Sequence, residues 1–355
     1  MIKRILYTLL IMFPVLASAQ INTDRVMAIG RNALYFEDYV LSIQYFNQVI
    51  NAKPYLSDPY FYRGLAKINL DDFQGAESDC SEAIERNPFV VSAYQVRGLA
   101  RIQQNNFAGA IEDYTKALEF DPENIGVWHN MALCRIRQED YKGAKNDLDK
   151  LIAISPRYTK AYLMRGEVDL KQKDTLAAEK DFGKAIEIDR YDADTWASRA
   201  ILRLQQQRYK DAEADFDHAI RLSTRNSGVY INRALARYHQ NNLRGAMSDY
   251  DIALDIDPNN FIGHYNRGLL RAQVGDDNRA IQDFNFVIEM EPDNMMAIFN
   301  RGLLLDQTGD YKGAIKDYST VINEYPNFLL GYQYRAQARR KIGDVKGADA
   351  DEFKV

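Results

Sequence analysis

Residues 91–124 read VSAYQVRGLARIQQNNFAGAIEDYTKALEFDPEN, and the same pattern returns every 34 residues along the chain. Stepping by that period from Gly98 meets Gly30, Gly64, Ala132, Gly166, Ala200, Ala234, Gly268, Gly302 and Ala336. From Ala110 it meets Ser42 and then alanine in every other copy, and from Pro122 it meets Pro54, Pro88, Pro156, Pro258, Pro292 and Pro326. No insertion or deletion breaks the register from residue 23 onward. The copies start at 23, 57, 91, 125, 159, 193, 227, 261, 295 and 329, the tenth lacking its last seven residues. A fixed period of this length marks stacked repeats.

Each copy carries two helical patterns, in the reference copy from about Ser92 to Gln104 and from about Phe107 to Phe120. Asn105-Asn106, replaced by Gly309-Asp310 and Gly343-Asp344 in later copies, supplies the turn between them. Proline after the second helix stops it, because proline cannot continue the hydrogen-bond ladder. Small residues at Gly98, Ala110 and Ala117 let the two backbones approach, and Tyr94, Phe107 and Tyr114 fill the space around them.

These columns resemble the tetratricopeptide repeat family in their aromatic, Gly/Ala, Ala, aromatic, Ala and Pro positions, over all ten copies. The resemblance implies an all-α fold, a right-handed superhelical solenoid of helix-turn-helix hairpins that occupies residues 20–355 as one array. A single unit cannot bury both faces, so such an array folds as a stack. The resemblance also implies that the first helix of each unit lines a concave groove where a protein or extended peptide is held.

The first residues, MIKRILYTLLIMFPVLASAQ, have a basic start at Lys3 and Arg4, an apolar run from Ile5 to Leu16, and small residues at Ala17-Ser18-Ala19. That is the pattern of a secretory signal peptide covering residues 1–19. Twelve apolar residues are too few to cross ~30 Å of hydrocarbon. An exported chain, periplasmic in a Gram-negative bacterium or secreted, is the expectation, with no stable membrane insertion after cleavage.

The formal charge of −5 becomes −7 without Lys3 and Arg4, and no basic block is present, which gives no footing for nucleic acid. Cys80 and Cys134 fall in the second helix of copy two and the first of copy four, on the order of ~20 Å apart. A disulfide needs Cα atoms within ~7 Å, so both read as small core residues. His129, His218, His239 and His264 share no metal-ligand spacing, and there is no nucleophile elbow, P-loop or dinucleotide fingerprint. No enzyme activity, metal or cofactor is expected.

Two polar columns run through apolar surroundings. Arg301 belongs with Arg63, Arg97, Arg165, Arg199, Arg233, Arg267 and Arg335, broken only by Ile29 and Met131. Asp317 belongs with Asp79, Asp113, Asp147, Asp181, Asp215, Asp249, Asp283 and Asp351, broken only by Tyr45. We read Arg97 with Asp113, Arg267 with Asp283 and Arg301 with Asp317 as structural ion pairs, a forked guanidinium on a carboxylate that sets hairpin register. A second arginine one turn on, such as Arg101 or Arg271, is placed to share the acceptor.

For a partner, the resemblance points to the first helices. Asn130, Asn232, Asn266 and Asn300 share one column and are similar to the asparagine ladder with which some protein-binding family members hold an extended backbone; an amide carries both donor and acceptor. Tyr265, Phe299 and Met296, with Ile262 and Leu330 beside them, form an expected apolar contact surface in copies eight to ten, and Phe61 and Tyr62 a smaller one near the N-terminus. The family's basic clamp for a peptide carboxylate is not carried over, since those positions are mostly Leu and Phe. The apolar Leu99 column is expected to pack between successive first helices. The functional expectation is a non-enzymatic protein- or peptide-binding scaffold in the cell envelope. Glycan or cell-wall polymer binding is the alternative if the rings of Tyr265 and Phe299 stand open.

Overall fold

The computed structural model describes residues 22–355, so the expected signal segment lies outside the described residues. Among the described residues there are twenty α-helices and no strand. They fall into two compact units that divide between Gln172 and Lys173, inside copy five. The first unit holds α1 (Thr23–Tyr35), α2 (Tyr39–Ala52), α3 (Asp58–Ile68), α4 (Phe73–Arg86), α5 (Val91–Gln103), α6 (Phe107–Phe120), α7 (Ile125–Arg137), α8 (Tyr141–Ile154) and α9 (Thr159–Lys171). The second holds α10 (Thr175–Ile188), α11 (Ala193–Gln205), α12 (Tyr209–Leu222), α13 (Ser227–His239), α14 (Leu243–Ile256), α15 (Phe261–Gln273), α16 (Asp277–Met290), α17 (Met295–Thr308), α18 (Tyr311–Glu324), α19 (Leu329–Lys341) and α20 (Val345–Glu352). Within each unit, consecutive helices pack as hairpins and each hairpin packs on the next.

Local chemistry sets the helix ends. Asp38, Asp72, Asn106, Asp140, Asn242 and Asp310 each accept from the backbone N–H three residues on, capping a second helix. The three-residue turn before that cap needs one left-handed residue. Glu37, Asp71, Asn105, Glu139, Gln207 and Asn241 take it at φ between +59° and +64°, while Gly275, Gly309 and Gly343 take it without a Cβ penalty. The loop after each second helix is tied from the next hairpin: the Tyr60 and Tyr162 hydroxyls and the Trp128 indole N–H donate to the carbonyls of Pro54, Pro156 and Pro122. His264 takes the same place, its Nε2 3.0 Å from the Pro258 carbonyl.

The core sits between the two helices of a hairpin and the first helix of the next. Around Tyr114 it gathers Tyr94, Ala110, Ala117, Val127, Met131 and Cys134. The small column is small because the aromatic one leans on it: a Cβ built on Gly302 would lie 2.9 Å from the Tyr318 ring. Cys80 and Cys134 are both buried and both free thiols.

The arginine column is a clamp with two jaws. Arg233 donates from Nε and Nη2 to Asp249 on its own hairpin, at 2.9 and 2.6 Å, and from Nη1 to Asp217 on the preceding one, at 2.7 Å. Arg97 does the same with Asp113 and the Ser81 hydroxyl, Arg267 with Asp283 and Asp251, Arg301 with Asp317 and Asn285, and Arg335 with Asp351 and Ser319. The second arginine joins the same carboxylate, as with Arg101 on Asp113 at 3.0 Å and Arg271 on Asp283 at 2.7 Å. Arg101 and Arg237 also reach back to Glu77 and Glu213 on the preceding second helix. In these copies the charges therefore tie a hairpin to its predecessor.

Candidate functional site

Copies eight to ten differ from the rest at the opening of the first helix. They read Phe261-Ile262, Met295-Met296 and Leu329-Leu330, whereas the second of those positions elsewhere is Asp24, Asp58, Ser92, Gly126, Lys160, Asp194 or Gly228. Ile262, Met296 and Leu330 are 51%, 62% and 50% exposed. Three large apolar side chains, one per hairpin, thus face solvent within the second unit.

Two apolar clefts open on either side of Met296. One, of about 270 Å³, lies between Phe261, Ile262 and Tyr265 of α15 and Asn294 and Met296 at the start of α17. The other, of about 250 Å³, lies between Met295, Met296 and Phe299 of α17 and Val321, Tyr325 and Phe328 beyond it. Asn294 lines both and is held rigid: its Oδ1 caps α17 by accepting from the Ala297 N–H, and its Nδ2 donates to Glu291 at 3.0 Å. Water in such clefts has few polar partners, so displacing it with an apolar side chain is favourable.

The remaining expected contact residues divide. Phe299 lines the second cleft, but its ring is packed by Tyr318, Phe328 and Tyr334, with centroids 5.7, 5.0 and 5.8 Å away. Tyr265 packs edge-on to Phe284, and its hydroxyl accepts from Asn300 Nδ2 at 3.1 Å. Burial pushes the Tyr265 phenol above its ordinary range, with the Asn300 bond acting against it. Asn300 has therefore spent a donor inside the fold. Asn130 faces the buried Tyr114 hydroxyl. Asn232 and Asn266 are half-buried and make no side-chain hydrogen bond among the described residues. Phe61 packs against the cluster of Ile50, Tyr60, Ala83 and Ala93, and Tyr62 stacks on Phe46. Both rings are packed within the first unit, and neither lines either cleft. The Leu99 column divides. Leu99 and Leu269 are exposed, whereas Leu65, Leu133, Ile201, Leu235 and Leu303 are half-buried, Ile201 and Leu303 against core clusters.

Sequence reasoning missed the loop contribution. Tyr325 and Phe328 lie between α18 and α19, and only the packing of that loop against α17 closes the second cleft. Among the described residues no three His, Cys, Asp or Glu side chains stand where they would hold a metal ion, and no helix is long and apolar enough to cross a membrane.

Residues 98–134 match a family model described as TPR repeat. Residues 125–158 and 159–192, which coincide with copies four and five, match one described as tetratricopeptide repeat, and residues 198–261 and 265–327 match another of that description. Together the matched segments exceed half of the chain. The chain is a tetratricopeptide repeat (TPR) protein. Among solved structures, a TPR protein from Parabacteroides merdae matches at 21% identity and a TM-score of 0.54, over 70% of this chain and 98% of that one. The C-terminal part of a TPR repeat-containing protein from Cytophaga hutchinsonii matches at 18% identity and a TM-score of 0.53, over 64% and 93%. Both are likenesses of fold. No curated protein matches this TPR chain.

Proposed function

We propose that this TPR protein is a non-enzymatic scaffold of the cell envelope, and that it holds an extended segment of a partner protein against the first helices of copies eight to ten. The observation that carries the reading is the pair of apolar clefts flanking exposed Met296, on a helix face that is polar or small elsewhere in the array. TPR repeats generally mediate protein or peptide binding, and methionine and aromatic side chains make adaptable contacts for it. The amide of Asn266, one turn from Ile262, has donors and an acceptor to offer a peptide backbone. A glycan would need open ring faces, and Phe299, packed by three aromatic neighbours, does not offer one, which favours the peptide reading. Export is supported by the order of basic, apolar and small residues before Gln20.

Capture from native envelope extract tests the reading, with wild-type chain and a Met296→Glu, Ile262→Glu variant as baits, both checked for helicity by circular dichroism. A partner retained by the first and lost by the second supports the groove. Equal capture by both places the contact elsewhere. Cell fractionation with N-terminal sequencing of the recovered chain checks export, with Gln20 as the expected first residue.

A further inference from the structure

The walls of the two clefts are apolar, and the unpaired charge in the stretches that line them is of one sign, since Arg267, Arg301 and Arg335, which follow those stretches, are each paired with a carboxylate. Three stretches supply the lining residues: 252–266, 284–300 and 319–334. They contain no lysine or arginine. Carboxylates sit where those stretches turn toward the clefts. Asp257 accepts from Asn260 Nδ2 just before Phe261. Glu291 accepts from Asn294, which lines both clefts, and Asp293 is exposed beside it. Glu324 is exposed next to Tyr325. None of these four carboxylates makes an ion pair among the described residues, although many others in the chain do. His264 is the one basic side chain in these stretches, and both its ring nitrogens are taken, Nδ1 by Asp283 and Nε2 by the Pro258 carbonyl.

We infer that the segment held here is cationic, with two large apolar anchors flanked by lysine or arginine. This rests on the groove reading above and adds the partner's chemistry to it. The clefts lie on opposite sides of α17, so their centres are on the order of one interhelical distance apart, ~10 Å. An extended segment in the polyproline II conformation rises ~3.1 Å per residue and turns every third side chain to the same face, which sets the anchors about three residues apart. Unpaired carboxylates beside low-dielectric walls make the local potential more negative and favour a positively charged partner over an acidic one.

Three fluorescein-labelled twelve-residue peptides test it against the full chain by fluorescence polarisation. Each carries two leucines three residues apart, flanked by lysines, glutamines or glutamates. The lysine peptide is expected to bind at least roughly tenfold tighter than the glutamate peptide, with the gap shrinking as salt is raised. The triple variant Glu291→Gln, Asp293→Asn, Glu324→Gln is expected to keep binding the glutamine peptide and to lose the preference. Equal affinity for all three peptides, abolished by Met296→Glu, would overturn the cationic partner and leave the groove reading standing. Tighter binding of the glutamate peptide would also overturn it. No binding of any peptide, or binding indifferent to Met296→Glu, would overturn both.

Discussion

Asp147 shows how one substitution in a repeat changes the chemistry of its neighbour. It is 6% exposed, and in its copy Met131 replaces the arginine that clamps the equivalent carboxylate elsewhere. Arg135 reaches it at 2.7 Å but is shared with Asp140 at 2.9 Å. Burial pushes the Asp147 carboxyl up to about 6, with Arg135 acting against that. A raised carboxyl pKa means the folded state holds the proton more tightly than the unfolded one. The stabilisation from this group is therefore fully present below the unfolded value of about 4 and is lost as pH rises through about 6. Denaturant titrations of wild type and Asp147→Asn should show wild type losing ground to the variant between those limits; parallel curves would contradict the assignment. Met131→Arg should bring the Asp147 pKa down, read by carboxyl NMR titration, since the new guanidinium would have Asp147 on one side and Thr115 on the other. At the turns, Gly309 sits at φ +93°, where alanine is strained, so Gly309→Ala should cost about 1 kcal/mol in thermal or chemical unfolding.

Among elements, the clamp predicts unequal costs for the same substitution. Asp317 is 3% exposed and accepts only from Arg301 among the described residues, because Leu305 stands where a second arginine serves other copies. Asp249 instead has both Arg233 and Arg237. Arg301→Met should therefore strand a buried carboxylate at about 3–5 kcal/mol. Arg233→Met should cost less, although it also releases Asp217. Adding Asp317→Asn should recover part of the Arg301→Met loss; a double variant no better than either single change would exclude the pairing. The two columns and their spacing were legible in the sequence, as was the sharing of one carboxylate by two arginines. The second jaw was not, because Asp217, Asp251 and Asn285 share a column with serine, threonine and glycine, and small polar residues of varied type read as ordinary solvated helix surface. Only the docking of one hairpin on the next brings those side chains to Nη1.

At the scale of the molecule, the stack makes its two thiols reporters of opening. Burial pushes Cys80 up to about 12 and Cys134 up to about 11, so neither supplies thiolate to a reagent while folded. A disulfide-exchange reagent at mildly alkaline pH should label both only as hairpins open, and stability should be the same with and without reductant. The sequence by itself determined the all-α hairpin stack, since a strict period of small, aromatic and proline positions admits one way to bury both faces of each unit. It also determined which copies carry the apolar pair at the head of the first helix. Tertiary structure alone decided which of the expected contact residues are open. Phe299 and Tyr265 are crowded by rings from neighbouring helices, Asn300 is already bonded, and Met296 stands between two clefts, one of which a distant loop completes. Periodicity reports the face a residue occupies, whereas its depth depends on the size and rotamer of side chains a full repeat away.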